Sequence, residues 1–285
     1  PQNVETARAV EGDIRAGGAV PATIAVMEGR LLVGLADDRL DRLGQARDVA
    51  KLSRADLAAR LARGARGATT VAATVVAARA AGIEVFATGG IGGVHRGWER
   101  TLDISADLHE LAQTPVTVVA AGAKAILDLP ATFEVLETLG VPVIAYGQDQ
   151  IPAFWSRTSG LPAPLRMDSA AEIAAAHRMR AALGLPGGQL VTNPMPAADE
   201  IPADHLAPLI RQALHEAEAQ GIAAKGVTPF LLSRLFDLTG GRSLVANIAL
   251  VRNNARLAAE IAGALAKRSC RGTRFTGPFV AAPAS

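Results

Sequence analysis

Chemically reactive side chains concentrate between residues 85 and 124, where two short apolar runs each end at glycine. The first run, Ile83 to Ala87, leads into the glycine-rich turn 89–93, and the second, Val116 to Ala121, leads to Lys124. Short β-branched runs that stop at glycine are typical of buried strands that feed loops. Ligands of open α/β sheets bind beyond the carboxyl ends of the strands. We therefore expect Lys124 and the polar residues between the two runs to face one pocket.

Lys124 has two interpretations. In a partly dry pocket the pKa of a lysine falls, and its neutral amine can attack a carbonyl to form a Schiff base. A solvated lysine at the end of a strand would give the same sequence pattern, so both interpretations stay open.

A second group of candidates lies between the two runs and comprises Asp103, Ser105, Asp107 and His95. Two carboxylates that lie close together can hold a hard divalent cation, but Asp and Ser also cap helices. His95 could act as a base, donate to a phosphate or support a metal ligand. A hydrogen bond from His95 to the loop backbone is the alternative.

Phosphate binding is the third possibility. The glycine-rich turn lacks the G-x-G-x-x-G spacing and the chain lacks a Walker lysine-serine pair, so the turn is either a phosphate or sugar loop or a tight structural turn. Lys51, Thr69 and Thr70 could clamp a phosphate at the start of an alanine-rich helix. A solvated lysine and a helix-capping threonine would look identical.

Polar residues also interrupt the last predicted helix. Asn247, Asn253 and Asn254 occur on it although asparagine is unfavourable inside helices, which indicates a site or an interface. Phe154 and Trp155 are interpreted as core residues rather than as a stacking platform.

The composition limits the function classes. The 285 residues are 49% hydrophobic and 20% charged, with a net charge of +2 and no long basic block, so nucleic-acid binding is not favoured. The single Cys270 excludes an intrachain disulfide framework and is typical of a cytoplasmic protein. No apolar run reaches the roughly 18 residues of a membrane span, and the charged, helical N-terminal segment is no signal peptide.

The order of elements predicts the fold class. Strands and helices alternate through the first two-thirds and helices dominate the end, which predicts a three-layer α/β/α protein with a mixed, largely parallel sheet. We expect a hairpin over 22–34, a turn at 64–67 and capping boxes at Ser53 and Ser169. One domain is expected over 1–266, followed by a flexible tail over 267–285.

Taken together, these segments resemble the pseudouridine-5'-phosphate glycosidases, whose fold is also called indigoidine synthase A-like. The resemblance runs from Pro1 to about Ala266 and keeps one order throughout. The matching stretches are GAVPATIAV from Gly18, KLSRADL from Lys51, GATTVAAT from Gly67, FATGGIGGVHRG from Phe86, DISADLHEL from Asp103, TPVTVVAAGAKAILD from Thr114, LETLGVPVIAY from Leu136, NPMP from Asn193, TPFLL from Thr228 and NIALVRNNA from Asn247.

The resemblance implies reversible cleavage of pseudouridine 5'-phosphate to uracil and ribose 5-phosphate by a homotrimer that binds one divalent metal per subunit, usually manganese (Mn2+). It assigns Lys124 as the Schiff-base nucleophile and Asp103 as the metal ligand. The remaining matches are substrate or pocket residues: Ser105, Ala106, Asp107, Lys51, Val71, Asn247 and His95, with Thr70 of the predicted clamp beside them.

The implied chemistry explains these residue types. A C-glycoside has no heteroatom leaving group to protonate, so the carboxylate pair of ordinary glycosidases would not suffice. An amine that opens the ribose ring as an iminium supplies an electron sink, and a metal can orient the pyrimidine and bound water.

One departure from the family keeps other functions open. The family's proton-donor glutamate lies in a strand before the position of Pro1, and Glu5 and Glu11 do not match it. Without that strand we expect imine formation but turnover at least about a hundredfold lower. The alternatives are a Schiff-base lyase or aldolase acting on another phosphosugar, a catalytically silent binding or scaffold protein and, less favoured, an RNA-binding protein.

Overall fold

A small mixed sheet is built from the first strands of the chain in the computed structural model, which describes residues 2–222 and 226–267. Its order is β2-β1-β4-β3, with β1 antiparallel to both neighbours and β3 parallel to β4. The hairpin between β1 and β2 is confirmed, and its turn places Glu28 and Gly29 at positive φ, as tight hairpin turns require. The strands are β1 (Ile24–Met27), β2 (Arg30–Val33), β3 (Ala50–Leu52) and β4 (Gly67–Thr69).

A second sheet is entirely parallel, with the order β5-β6-β9-β7-β8. Strands β6 and β9 are buried along their whole length, as expected when helices cover both faces of a parallel sheet. Because all its strands run the same way, the loops that follow them emerge at one edge. The strands are β5 (Val85–Ala87), β6 (Thr117–Ala120), β7 (Val143–Tyr146), β8 (Leu165–Met167) and β9 (Gln189–Thr192).

Helices connect the strands and make up most of the C-terminal third. Both predicted capping boxes are present, at the starts of α3 and α8. The helices are α1 (Gln2–Ala16), α2 (Asp37–Gln45), α3 (Arg54–Ala62), α4 (Val71–Ala80), α5 (Trp98–Thr101), α6 (Ala106–Gln113), α7 (Leu129–Thr138), α8 (Ala170–Ala182), α9 (Ala203–Ala219), α10 (Val227–Leu238) and α11 (Arg242–Ala266).

The core occupies both faces of the parallel sheet. On one face Val118 and Leu190 pack with residues of α6 and α7, such as Leu108 and Leu136. On the other face their chain neighbours Val119 and Val191 pack with α8 and α11. The alternation of neighbours between faces is the two-residue period of a strand. The predicted α/β class with helices on both sides of the sheet is therefore confirmed.

Several details differ from the sequence-based expectation. The strands are divided between two sheets, and β4, β8 and α5 were not predicted. Gly67, expected in a turn, begins β4. The single domain over 1–266 stays a prediction, and residues 268–285 of the expected tail lie outside the described residues. None of the described helices has the length and apolar character needed to cross a membrane.

Candidate active site

The loops that follow β5 and β6 are joined to each other by backbone hydrogen bonds. Ala121 N donates to Gly89 O at 2.9 Å, and Ile91 N donates to Gly122 O at 3.1 Å. Lys124 N then donates to Ile91 O at 3.2 Å. The glycine-rich turn and the backbone of Lys124 therefore form one connected unit at the carboxyl end of the parallel sheet.

Close packing requires glycine at two positions of this unit. A Cβ at Gly92 would overlap the side chain of Ser105. Gly122 adopts a φ of +89°, and a Cβ there would lie 2.6 Å from Pro152 O. Positive φ is accessible to glycine at little cost. The tight-turn interpretation of the glycine run is therefore correct, and the same turn also borders a cavity.

A cavity of about 910 Å³ opens beside the two loops. It collects the predicted residues from separate parts of the chain, and Ala106, the remaining predicted residue, begins α6 next to them. The predicted residues that line the cavity are Lys51, Thr69, Thr70, Val71, His95, Asp103, Ser105, Asp107, Lys124 and Asn247.

Burial governs the two basic groups at the centre of the cavity. The pKa of Lys124 is lowered by burial and by the charge of Lys51, against the opposing effect of Asp107. The pKa of His95 is also lowered, mainly by burial, and the nearby Asp103 opposes this shift. A lowered pKa increases the fraction of neutral amine at a given pH, and the neutral amine is the nucleophilic form. Lys124 is partly buried and lines the cavity, which favours the interpretation as a pocket lysine over that as a solvated surface lysine.

Asp107 connects two elements of the site. Its Oδ1 accepts a hydrogen bond from Ala72 N, near the start of α4, and its Oδ2 accepts one from Gly92 N, each at 2.8 Å. The carboxylate is buried, so these bonds supply the polar partners that a buried charge requires. Ser105 caps α6 by accepting from Asp107 N, as the helix-capping interpretation expected.

Thr70 and Lys51 also line the cavity. Thr70 caps α4, because its hydroxyl accepts from Ala73 N at 3.4 Å, and Lys51 projects from β3 into the cavity with its side chain exposed. A cation beside a helix N-terminus is a suitable environment for a phosphate group. The capping role of Thr70 and the proposed clamp are therefore compatible.

Asp103 is the candidate metal ligand. Among the residues described, no group of three or more His, Cys, Asp or Glu side chains could hold a metal ion. A cage made only of these side chains is therefore not formed. One carboxylate still fits a hard divalent cation that keeps several water ligands or binds the substrate's phosphate oxygens.

Some residues that line the cavity were not identified from the sequence. They lie mainly on helices, where apolar residues at helical spacing are typical of core and polar ones of a solvated face. Only the position of each helix relative to the sheet reveals that these faces meet the cavity. They include the loop residue Phe154 and three groups on helices: Gln2, Asn3 and Thr6 of α1; Thr228 and Leu232 of α10; and Leu244, Ile248 and Val251 of α11.

These features define an α/β protein whose polar, lysine-containing cavity lies at the carboxyl ends of a parallel sheet. The family model described as "Indigoidine synthase A like protein" matches residues 1–264. The chain therefore belongs to the indigoidine synthase A-like family, as the sequence motifs predicted.

Relatives that bear an enzyme name share most of the chain. A pseudouridine-5'-phosphate glycosidase of Jannaschia sp. (strain CCS1) is 72% identical over 93% of this chain and 88% of its own length. The enzyme of the same name from Paracoccus denitrificans (strain Pd 1222) is 70% identical, with the same two coverages.

Solved structures share the fold. A prealnumycin C-glycosynthase in complex with ribulose 5-phosphate has a TM-score of 0.88 and 42% identity over 94% of this chain and 88% of its own. An indigoidine synthase A-like protein of Thermotoga maritima has a TM-score of 0.86 and 34% identity, with the same coverages.

Proposed function

We propose that this protein is a pseudouridine-5'-phosphate glycosidase, which reversibly cleaves the carbon–carbon glycosidic bond of its substrate to give uracil and ribose 5-phosphate. The observation that carries the proposal is a partly buried lysine of lowered pKa in the cavity of a protein whose relatives, about 70% identical, bear that name. The solved relative that binds ribulose 5-phosphate supports a phosphosugar as ligand.

In the proposed reaction Lys124 supplies the covalent step. Its neutral amine attacks the sugar carbon that carries the uracil and displaces the ring oxygen, which takes up the proton that the amine loses. Cleavage of the carbon–carbon bond then leaves the sugar as an iminium on Lys124, and the released electron pair takes a proton from water at the uracil carbon. Water then hydrolyses the imine to ribose 5-phosphate. The low pKa of Lys124 favours the attack, because only the neutral amine is nucleophilic.

The surrounding residues bind the substrate in this proposal. Lys51, Thr70 and the start of α4 hold the phosphate, where positive charge and a helix N-terminus meet. Ser105, Ala106 and Asp107 shape the sugar site together with Val71, and Asn247 and His95 complete the pocket wall.

The proposal includes dependence on a divalent metal, with Mn2+ held by Asp103. Such an ion supplies positive charge that orients the pyrimidine and water. Removal of metal by a chelator should abolish cleavage, and added Mn2+ should restore it, whereas Asp103→Asn should weaken the response to Mn2+. Full activity of the chelator-treated protein with no metal present would refute this part.

The proposal also includes a cytoplasmic homotrimer. The trimer is supported only by the sequence resemblance, and the cytoplasm by the single cysteine. Light scattering should give three times the 29.3 kDa of one chain, and a monomeric mass at working concentration would refute the trimer.

Trapping of the imine tests the central step. The protein is incubated with ribose 5-phosphate and borohydride, and the modified peptide is mapped by mass spectrometry. We expect the adduct on Lys124, and loss of cleavage by several orders of magnitude in Lys124→Ala. The matched control is Lys267→Ala, because Lys267 lies at the end of α11 and does not line the cavity. A reduced adduct on another lysine, or normal turnover of Lys124→Ala, would exclude Lys124 as the nucleophile.

A Schiff-base lyase or aldolase is the second candidate. It is favoured by the same lysine, and by a solved relative named as a C-glycosynthase rather than a glycosidase. A substrate panel separates the two: cleavage of phosphosugar aldols without cleavage of pseudouridine 5'-phosphate would favour the lyase. Absence of turnover on every substrate would favour a binding or scaffold protein.

A further inference from the structure

Asn254 is a fully buried amide in the interior of α11, with no exposed surface. Asparagine is unfavourable at such a position, and a buried amide has to be hydrogen bonded. Its Nδ2 donates to Thr88 O at 2.8 Å and to Gly89 O at 3.4 Å. Its Oδ1 accepts from Asn193 Nδ2 at 3.1 Å. Since the two backbone carbonyls can only accept, the amide nitrogen must face them.

The carbonyls that Asn254 holds belong to the start of the glycine-rich turn. This turn begins where the pairing of β5 with β6 stops, at Ala87 opposite Val119. Beyond Ala87, Thr88 N still donates to Val119 O of β6 at 3.0 Å, and Gly89 O accepts from Ala121 N. The remaining bonds to the turn come from outside these two strands. Asn254 supplies two of them, and Gly89 also lies against Asn247 of the same helix, which lines the cavity.

The glycine-rich turn also holds the backbone of Lys124, the proposed nucleophile. Gly89 O, which receives Asn254 Nδ2, also receives Ala121 N at 2.9 Å. Two residues later Ile91 is bonded both to Gly122 and to Lys124. A continuous path of hydrogen bonds therefore runs from the Asn254 amide through the turn to Lys124. A displacement of the turn would move the lysine and the cavity wall together.

We propose that Asn254 is a positioning residue that sets the place of the glycine-rich turn and, through it, of Lys124. It does not line the cavity, so it acts without touching the substrate. The inference rests on the proposed function for its kinetic test only, because the order of the turn can be measured without any reaction.

The neighbouring residue provides the matched control. Asn253 lies on the same helix, and its Nδ2 donates to Pro194 O at 3.1 Å. This bond has the same chemistry and similar length, but it reaches neither the turn nor the cavity. Asn254→Ala and Asn253→Ala therefore remove equivalent groups from α11 with different connections to Lys124.

We expect Asn254→Ala to lower kcat about 10- to 100-fold with less than about a threefold change in KM, because a misplacement of about 1 Å in an active site can cost that much. Trapping of ribose 5-phosphate by borohydride should slow by a similar factor. Hydrogen exchange at the amides of Ala121 and Lys124 should become faster. Asn253→Ala should stay within about twofold of the unchanged protein in kcat and show no faster exchange at those amides.

Asn193→Ala is the second variant, in case Asn254→Ala does not fold. It leaves both donors of Asn254 in place but removes the partner of its oxygen, so a smaller loss in the same direction is expected, with faster exchange at the same amides. The inference is overturned if the folded Asn254→Ala, or Asn193→Ala in its place, matches Asn253→Ala in kcat and exchange. If the unchanged protein neither cleaves nor traps a sugar, the proposed function fails, and the exchange comparison alone decides the role of Asn254.

Discussion

Lys124 combines a partly buried position with a polar neighbourhood, and this combination determines its chemistry. Burial disfavours the ammonium form, and the charge of Lys51 acts in the same direction, whereas Asp107 favours the ammonium. The two lysines are therefore coupled. Lys51 suits an anionic group of a ligand, and its charge also helps to keep Lys124 neutral. When a phosphate binds near Lys51, its negative charge offsets part of the lowering of the Lys124 pKa by Lys51.

The pH dependence of imine formation tests this arrangement. The rate of borohydride trapping at saturating ribose 5-phosphate should rise with pH as Lys124 loses its proton, with a midpoint below the 10.5 of an ordinary lysine. Lys51→Gln should move the midpoint upward, because it removes a charge that lowers the pKa of Lys124. Lys267→Gln serves as the control. A midpoint that Lys51→Gln leaves in place would contradict the coupling.

Lys124 should also reduce the stability of the folded protein. Because its pKa is lower when folded than when unfolded, the folded state resists protonation. The penalty is complete below the folded-state pKa and disappears above about 10.5, the unfolded value. Lys124→Met should therefore raise the melting temperature at pH 6, and the gain should diminish as the pH approaches 10.5. Equal or lower stability of Lys124→Met at pH 6 would show that the amine is not penalised by burial.

That Lys124 and His95 meet at one cavity could be predicted from sequence, because both follow strands and the loops after parallel strands meet at one edge. Val71, Ala106 and Asn247 lie on helices, and their assignment depended on the family resemblance. Their bonds could not be predicted in the same way. Asp107 was expected to bind substrate or metal, but both of its oxygens accept backbone N–H groups from distant elements. These contacts depend on how α4, α6 and the glycine turn approach each other, which no local pattern specifies.

At the scale of elements, the glycine-rich turn and α6 are packed so closely that no side chain fits between them. Gly92→Ala should cost about 1–3 kcal/mol of unfolding free energy, the usual range for forcing extra volume into a packed site. It should also reduce cleavage, because Gly92 N donates to Asp107 and the turn adjoins Lys124. Chemical denaturation and a cleavage assay provide the two measurements.

Gly263→Ala is the control for this substitution. Gly263 lies inside α11 with no atom within 4 Å of an added Cβ, so alanine there should stabilise the helix by up to about 1 kcal/mol. Equal effects of the two substitutions would mean that the turn can shift to accommodate a methyl group.

Local signals predicted elements well where the determinants are local. The capping boxes of α3 and α8, the β1–β2 hairpin and the strands β5 and β6 were all predicted from spacing and residue type. The strands β4 and β8 were not, because each has only three residues and no β-branched run, and its pairing partners are distant in sequence. The division into two sheets was missed for the same reason.

At the scale of the whole molecule, α1 is tied to α11 by a carboxylate with two arginine partners. Asp13 accepts hydrogen bonds from Arg252 at 2.6 Å and from Arg256 at 3.0 Å. The bond from Arg252 is the main cause of the lowered pKa of Asp13. Since Gln2, Asn3 and α11 all meet the cavity, this ion pair connects the N-terminal helix to the site.

Asp13→Asn should lower the free energy of unfolding by about 1 kcal/mol at pH 7, a small value because both arginines are partly exposed and screened by solvent. A carboxylate with a depressed pKa stabilises above its unfolded value, about 3.8, and this contribution is lost as the pH falls through the folded value. The difference from the unchanged protein should therefore vanish in acid.

Asp149→Asn is the control, because Asp149 pairs with Arg166 on the open surface and should change stability by less than about 1 kcal/mol. Urea titrations at pH 7 and pH 3 compare the two variants. A difference for Asp13→Asn that persists undiminished in acid would show that the carboxylate charge is not responsible.

Strand β9 lies at the centre of the parallel sheet, and it is the last of the five strands of that sheet to be synthesised. Both β6 and β7 precede it by more than a helix, and neither pairs with the other in the finished sheet. Until β9 is synthesised, the edges of β6 and β7 that pair with it are unpaired. Unpaired apolar strand edges are surfaces on which nascent chains can aggregate. Insertion of β9 pairs with both of these edges at once. The order of the strands therefore makes this one late event the step that removes the inner edges of β6 and β7 as sites of intermolecular pairing.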